Sequence, residues 1–220
     1  MSTVLITGAN RGIGLELARQ LHARGDTVIA ACRKPSAELS ALGVRVEAGV
    51  DVGDGDSVAA LAARLDGVSL DLLINNAGIL KRNALGSVDY DSVRRQFEVN
   101  AIGPLRVTEA LLPNLSAGSK VAIITSRMGS IADNGSGSHY GYRMSKAAVN
   151  AAGVSLARDL APRKVSVCLL HPGYVATDMT ANAGSVSPEQ SAAGLIARID
   201  ELRLPTTGSF WHAEGQNLPW

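Results

Sequence analysis

Thr7-Gly8-Ala9-Asn10-Arg11-Gly12-Ile13-Gly14 follows the apolar run TVLIT at 3 to 7 and leads directly into the amphipathic stretch LELARQL. Three glycines thus fall in a strand-to-helix turn, where the backbone can approach a ligand and the unpaired amides of a helix start attract negative charge. The pattern points to the pyrophosphate of a dinucleotide, with Gly8, Asn10, Arg11, Gly12, Ile13 and Gly14 around it. No Gly-Lys-Ser or Gly-Lys-Thr triplet follows, which disfavours nucleoside triphosphate hydrolysis. A tight turn with close helix packing needs the same glycines, so the rest of the chain has to decide.

Beyond this turn, further short apolar runs read as strands: TVIAAC at 27 to 32, VRVEA at 44 to 48, DLLIN at 71 to 75, KVAIIT at 120 to 125, VSVCLL at 165 to 170, and a last one near Gly208 to His212. Their lack of polar alternation predicts a parallel sheet buried on both faces. Helical periods fill the gaps at 12 to 24, 55 to 65, 89 to 116, 140 to 161 and 188 to 202, with a short segment near 36 to 41. The expected fold is α/β, a single doubly wound Rossmann-type domain over residues 1–220, with a mostly parallel seven-stranded sheet and helices on both faces. Gly135 to Ser138 and Gly184 to Ser187 read as surface loops beside the site, the second as a lid.

Composition agrees. A chain of 220 residues with 46% hydrophobic content supports one sizeable core. Its 21 basic and 20 acidic residues leave a net charge of +1, which gives no broad field for nucleic acid and no polybasic patch for lipid. Cys32 and Cys168 lie far apart in apolar runs and read as free buried thiols. The opening MSTVLIT lacks a charged signal-peptide start and no apolar stretch approaches a membrane span, so a cytoplasmic location is expected. Four dispersed histidines show no metal-ligand spacing.

At the end of the second strand, where an acid would hold the ribose of NAD, the sequence reads Ala31-Cys32-Arg33-Lys34. Arg33, with Arg11 from the glycine turn, suits a 2′-phosphate instead, so NADP(H) is the expected cofactor. Asp51, just beyond the third strand, is a candidate acceptor for the adenine amino group; capping a turn is its competing role.

Tyr142 and Lys146 stand four apart at a helix start, which puts them on one face; Tyr140 has Met144 at that spacing. A phenol with an ordinary pKa near ~10 needs a neighbouring cation to work near neutrality, and Lys146 is expected to lower it. Ser126 ends the fifth strand, where its hydroxyl can polarise a carbonyl, and Ser130 is its rival. Val93, Phe97 and Asn100 share an inward helical stripe. Pro104 offers no amide hydrogen to the Asn100 carbonyl, which is then free for a water in a proton relay through Lys146. His171 beside Pro172 reads as support for a turn.

Thr7 to Gly14, Asn75-Asn76-Ala77-Gly78, Asn100, Ser126, Tyr142 with Lys146, and Pro172-Gly173 occur in an order that resembles the classical short-chain dehydrogenase/reductase family. The stretch ITSRMGSIADNGSGSHYGYRMSKAAVN and the ending LPW resemble its C-factor and Sniffer-type carbonyl reductase branch. The resemblance implies Ser126, Tyr142 and Lys146 as a triad assisted by Asn100. It also implies Asn76, Ala77 and Gly78 along the cofactor, Val52 beside Asp51, Pro172 and Gly173 in the cofactor wall, and Val175 and Thr177 near the carboxamide.

Motifs and resemblance together imply hydride transfer between NADPH and a small aldehyde or ketone, or the reverse oxidation of an alcohol. The alternative is an NADPH-sensing regulator in which catalysis is incidental. The small residues Ala147 to Gly153 suit close helix packing, with packing inside the chain as the competing reading, and the resemblance implies a homodimer or homotetramer through this helix and the long one before it.

Overall fold

The computed structural model describes all residues 1–220. Its seven strands are β1 (Thr3–Thr7), β2 (Thr27–Ala31), β3 (Arg45–Glu47), β4 (Leu70–Asn75), β5 (Leu115–Ile124), β6 (Ser166–His171) and β7 (Ser209–His212). They form one sheet in the order β3-β2-β1-β4-β5-β6-β7, every pair parallel. The helices are α1 (Gly12–Ala23), α2 (Ala37–Ser40), α3 (Gly55–Arg64), α4 (Tyr90–Phe97), α5 (Gly103–Ala110), α6 (Tyr140–Leu160) and α7 (Pro188–Glu201).

Alternate residues of each strand feed two separate cores, as the period of two requires. Val4, Ile6, Val28, Leu72, Ile74 and Leu170 pack on one face with Leu17 and Leu21 of α1 and Leu195 and Ile199 of α7. Leu5, Ile29, Leu73, Val121, Ile123 and Val167 pack on the other with Leu61 of α3, Val107 of α5 and Val149 and Leu160 of α6. Cys32 and Cys168 are free and buried. No helix is long and apolar enough to cross a membrane.

The chain leaves β1 toward β2 and β3, then returns to pair β4 on the other flank of β1. The carboxyl ends of β1 and β4 therefore diverge into a crevice at the point where the order reverses, the position at which ligands of open α/β sheets bind.

The region expected as one helix over 89 to 116 departs from that reading in two places. Residues Glu98–Ile102 widen into a π-helical turn, with the Gly103 amide bonded to the Glu98 carbonyl. Pro104 cannot donate to Asn100, and the wider register carries the helix past that missing bond without breaking it. At the other end α5 stops at Ala110, and Leu112–Asn114 form a 3₁₀ turn before β5 begins. Pro113 accounts for the stop, since it has no amide hydrogen to offer the Glu109 carbonyl; the Asn114 amide then donates to the carbonyls of Leu65 (2.7 Å) and Val68 (2.8 Å) and ties the chain to the end of α3.

Candidate active site

A cleft of about 660 Å³ runs along the carboxyl edge of the sheet, from Arg33 and Asp51 at one end to Tyr142 and Lys146 at the other. Gly8, Asn10, Arg11, Gly12, Ile13 and Gly14 line it, as do Val52, Asn76, Ala77, Gly78, Pro172 and Thr177. Asn100, Ser126, Gly173 and Val175 are not part of this wall. Val175 is buried and bridges Val186, and Gly173 turns the chain with φ of +90°.

The glycine turn holds its shape through close contact with β4. Gly8 has φ of +66°, and a Cβ there would stand 2.8 Å from Ala77 Cα. A Cβ on Gly14 would lie 2.3 Å from the Gly8 carbonyl oxygen and 2.4 Å from Asn76 Nδ2. That amide nitrogen donates to the carbonyls of Thr7 (3.0 Å) and Gly8 (3.1 Å). Thr7 Oγ1 accepts from the amides of Asn76 (3.0 Å) and Ala77 (3.1 Å). Asn76 thus clamps the crevice with its side chain, and Thr7 is its partner. The motif by itself assigns Thr7 no role, although a hydroxyl at the buried end of a strand has to find partners.

The same turn fits the charged middle of a dinucleotide. Helices α3, α4 and α7 have their first amides capped by Asp54, Asp89 and Ser187, but α1 starts at Arg11 with no side-chain cap and no acid in its first turn. Its amides therefore remain available to an anion at the centre of the cleft.

At the far end Tyr142 and Lys146 are buried, 8% and 4% exposed, on the first turns of α6. Lys146 Nζ donates to the Ile124 carbonyl at 2.9 Å and lies 5.7 Å from the centre of the Tyr142 ring. Burial pushes the ammonium down to about 8 and the phenol up to about 12, the latter opposed by the Ser126 hydroxyl beside it. The expected lowering of the phenol by Lys146 is therefore not what the chain alone produces: burial raises the phenol, and the group that opposes it is the Ser126 hydroxyl. Ser126 Oγ also accepts from the Met128 amide at 3.1 Å, while Ser130 Oγ accepts from the amide of Asp133 in the loop. Of the two serines, Ser126 stands against the phenol.

Asn100 supports this end from below. Its Oδ1 accepts from the Ile79 amide, and its Nδ2 donates to the Ile79 carbonyl, both at 2.8 Å. Nδ2 also donates at 3.0 Å to Ser145 Oγ, which in turn donates to the Tyr142 carbonyl. The side-chain amide is thus committed to joining β4's exit to α6. Asn100 Oδ1 and Lys146 Nζ lie 3.4 and 3.8 Å from the point a Gly78 Cβ would occupy, so both flank Gly78 at this end of the cleft. Asn83 and Gln96, both buried, hold the first turn of α6 through the Gly141 amide and each other. Nothing in their sequence spacing marks them.

At the other end Arg33 is exposed, and Asp51 is engaged as a turn cap and ion pair: Oδ1 accepts from the Gly53 amide at 2.9 Å and Oδ2 meets Arg95 at 2.7 Å. Arg11 does not point toward Arg33; it pairs with Asp178 at 3.1 Å across the middle of the cleft, both side chains largely exposed. Such an exposed pair is weak and leaves Arg11 free to change partner. His171 sits edge-on to His212 with ring centres 4.9 Å apart, and burial pulls it down to about 3, so it is neutral near pH 7. No group of three or more His, Cys, Asp or Glu side chains is placed to hold a metal ion.

The chain belongs to the short-chain dehydrogenase family, whose model (short chain dehydrogenase) matches residues 2–187. It is 52% identical over 226 residues, the full length of both chains, to 1-hydroxy-2-glutathionyl-2-methyl-3-butene dehydrogenase of Rhodococcus sp. (strain AD45). It is 47% identical over 154 residues to C-signal of Myxococcus xanthus, spanning 69% of this chain and 93% of that protein. Among solved structures it resembles the carbonyl reductase Sniffer of D. melanogaster, with a TM-score of 0.93, 29% identity and 100% of both chains covered. The NADPH-bound carbonyl reductase from chicken fatty liver gives 0.91 at 31% identity, covering 100% of this chain and 99% of that one.

Proposed function

We propose that the protein is an NADP(H)-dependent carbonyl reductase that interconverts an aldehyde or ketone with its alcohol. The observation that carries this reading is the buried trio at the end of the cleft: the Tyr142 phenol, the Ser126 hydroxyl beside it and the Lys146 ammonium one turn on. The cofactor, when bound, supplies the hydride. Gly8, Asn10, Gly12, Ile13 and Gly14 would hold its pyrophosphate, Arg11 and Arg33 its 2′-phosphate, and Asp51 with Val52 its adenine. Asn76, Ala77, Gly78, Pro172, Gly173, Val175 and Thr177 would form or support the wall toward its nicotinamide end. The NADPH in the chicken liver structure supports the choice of cofactor.

Ser126 Oγ donates to the substrate oxygen and stabilises the charge that develops there. Tyr142, whose phenol stays protonated through the neutral range, donates its proton to the same oxygen. Lys146 then stabilises the phenolate left behind, a role that requires its charged form. Asn100 keeps Gly78–Ile79 and α6 in register, and its main-chain carbonyl accepts a water that replaces the proton.

The Rhodococcus relative's name adds glutathionyl-substituted 1-hydroxy compounds to the substrates worth assaying in the oxidative direction. A homodimer or homotetramer through α5 and α6 is also proposed, supported by the exposed apolar side chains of Leu105 on α5, Met144 on α6 and Ile102 at the end of the π-helical turn before α5. The activity is tested by following NADPH absorbance with a panel of aldehydes and ketones, and the assembly by sedimentation.

A further inference from the structure

The turn after β3 is gripped by the same long helical segment that carries Asn100. Arg95 in the last turn of α4 places Nη2 2.7 Å from Asp51 Oδ2. Arg106 on α5 donates to the Val52 carbonyl at 2.9 Å and pairs with Glu98 at 2.6 Å. From the other side the Asp51 amide donates to Ser57 Oγ at 2.9 Å, and that hydroxyl donates to the Gly49 carbonyl at 3.0 Å. A Cβ on Gly53 would stand 2.6 Å from Arg95 Nη1, so the bare glycine leaves the bay in which the guanidinium lies. Asp51 and Arg95 both line the cleft.

Both oxygens of Asp51 are therefore held, one by the Gly53 amide and one by Arg95, and the plane of the carboxylate is fixed. Each oxygen keeps a further lone pair that can accept from a ligand. Burial alone would raise this group, but the Gly53 amide and Arg95 more than offset it and keep it below the usual carboxylate range, so it acts only as an acceptor. The Arg95 and Asp51 side chains are 45% and 30% exposed, which makes their pair a small contributor to stability. Orientation is what the pair supplies.

We infer that Arg95 is a specificity-determining positioning residue, which fixes Asp51 so that this end of the cleft takes a purine carrying an amino group and rejects one carrying a carbonyl oxygen in its place. The inference rests on the reading of Asp51 as the adenine acceptor. A free carboxylate would swivel toward whichever ring edge offers a donor, including the ring N–H of hypoxanthine. A held one meets the hypoxanthine oxygen with its own lone pairs and is repelled.

The test compares dissociation constants for NADPH and for reduced nicotinamide hypoxanthine dinucleotide phosphate, by fluorescence titration, in the unaltered protein, Arg95→Gln, Arg95→Met and Asp51→Asn. The unaltered protein is expected to favour adenine by about tenfold or more, the scale of one charge-assisted hydrogen bond. Both Arg95 variants are expected to cut that ratio to about threefold or less while still binding NADPH, and Asp51→Asn, which offers an N–H to the oxygen, to abolish or invert it. A purely structural loosening would weaken both dinucleotides alike. An unchanged ratio in the Arg95 variants beside a collapsed ratio in Asp51→Asn overturns the role of Arg95 alone. An unchanged ratio in Asp51→Asn overturns the adenine reading of Asp51, and the inference with it.

Discussion

Lys146 reaches the carbonyl of Ile124 and not the hydroxyl of Tyr142: its ammonium donates to the strand end at 2.9 Å and stands 5.7 Å from the centre of the phenol ring. Its charge is thus anchored close enough to stabilise a phenolate without holding the neutral phenol. Lys146 titrates at about 8, well below an ordinary lysine, because burial penalises the charged form. Below that pH the ammonium is intact; as pH rises through about 8 the proton is lost and with it the stabilisation of the phenolate. The rate of carbonyl reduction at saturating cofactor is accordingly expected to be flat at lower pH and to fall above about 8. Initial rates between pH 6 and 10 check it, and a rate that climbs through this window contradicts the role of Lys146.

Ser126 and Asn100 are expected to separate when activity and stability are measured together. Ser126→Ala removes a donor to the substrate oxygen, for which kcat should drop by about a hundredfold or more. It also removes a short cap on the Met128 amide, a loss of about 1 kcal/mol. Asn100→Ala strands the amide and carbonyl of Ile79 and is expected to cost about 2–4 kcal/mol as well as activity. Denaturant melts beside kcat distinguish the two; equal stability losses would contradict the bracing role of Asn100.

The weak pair between Arg11 and Asp178 bears on cofactor choice. Asp178→Asn frees Arg11 for a phosphate and is expected to tighten NADPH by no more than about fivefold, the scale of an exposed ion pair, with NADH unaffected. Arg33→Ala should weaken NADPH by about tenfold against NADH. Parallel titrations of both cofactors decide, and an equal loss for NADH and NADPH in Arg33→Ala would remove the phosphate reading.

Gly14→Ala is expected to destabilise the protein by about 1–3 kcal/mol. Its new methyl group would collide with the Gly8 carbonyl at 2.3 Å and with Asn76 Nδ2 at 2.4 Å, and the clamp between β1 and β4 would have to open. A thermal melt unchanged from the unaltered protein would show that the clamp is soft.

The sheet and its helices were legible in the sequence because buried parallel strands are continuous apolar runs and the helices between them are amphipathic. The glycine turn, Tyr142 with Lys146, and Ser126 were legible because each is a short pattern at the end of an element. The likeness to the family and to the Sniffer-type carbonyl reductases was legible from those patterns taken in order. The early end of the long helix is marked locally by Pro113, whereas the ties from the Asn114 amide to Leu65 and Val68 escaped because those partners lie far away in sequence. Asn83, Gln96 and Arg95 escaped for the same reason, since their partners come from other elements. The orientation of Arg11 and the upward push on Tyr142 depend on exposure and burial, which no spacing encodes.

The most direct measurement follows NADPH oxidation with a panel of aldehydes and ketones in the unaltered protein and in Tyr142→Phe, with NADPH binding titrated in both. The phenol's proton is expected to be worth about 10² to 10⁴ in rate, so Tyr142→Phe should bind NADPH nearly as well and turn over slower by that factor. Equal turnover in the two proteins, on any substrate the unaltered protein reduces, would contradict the assignment of Tyr142 as proton donor.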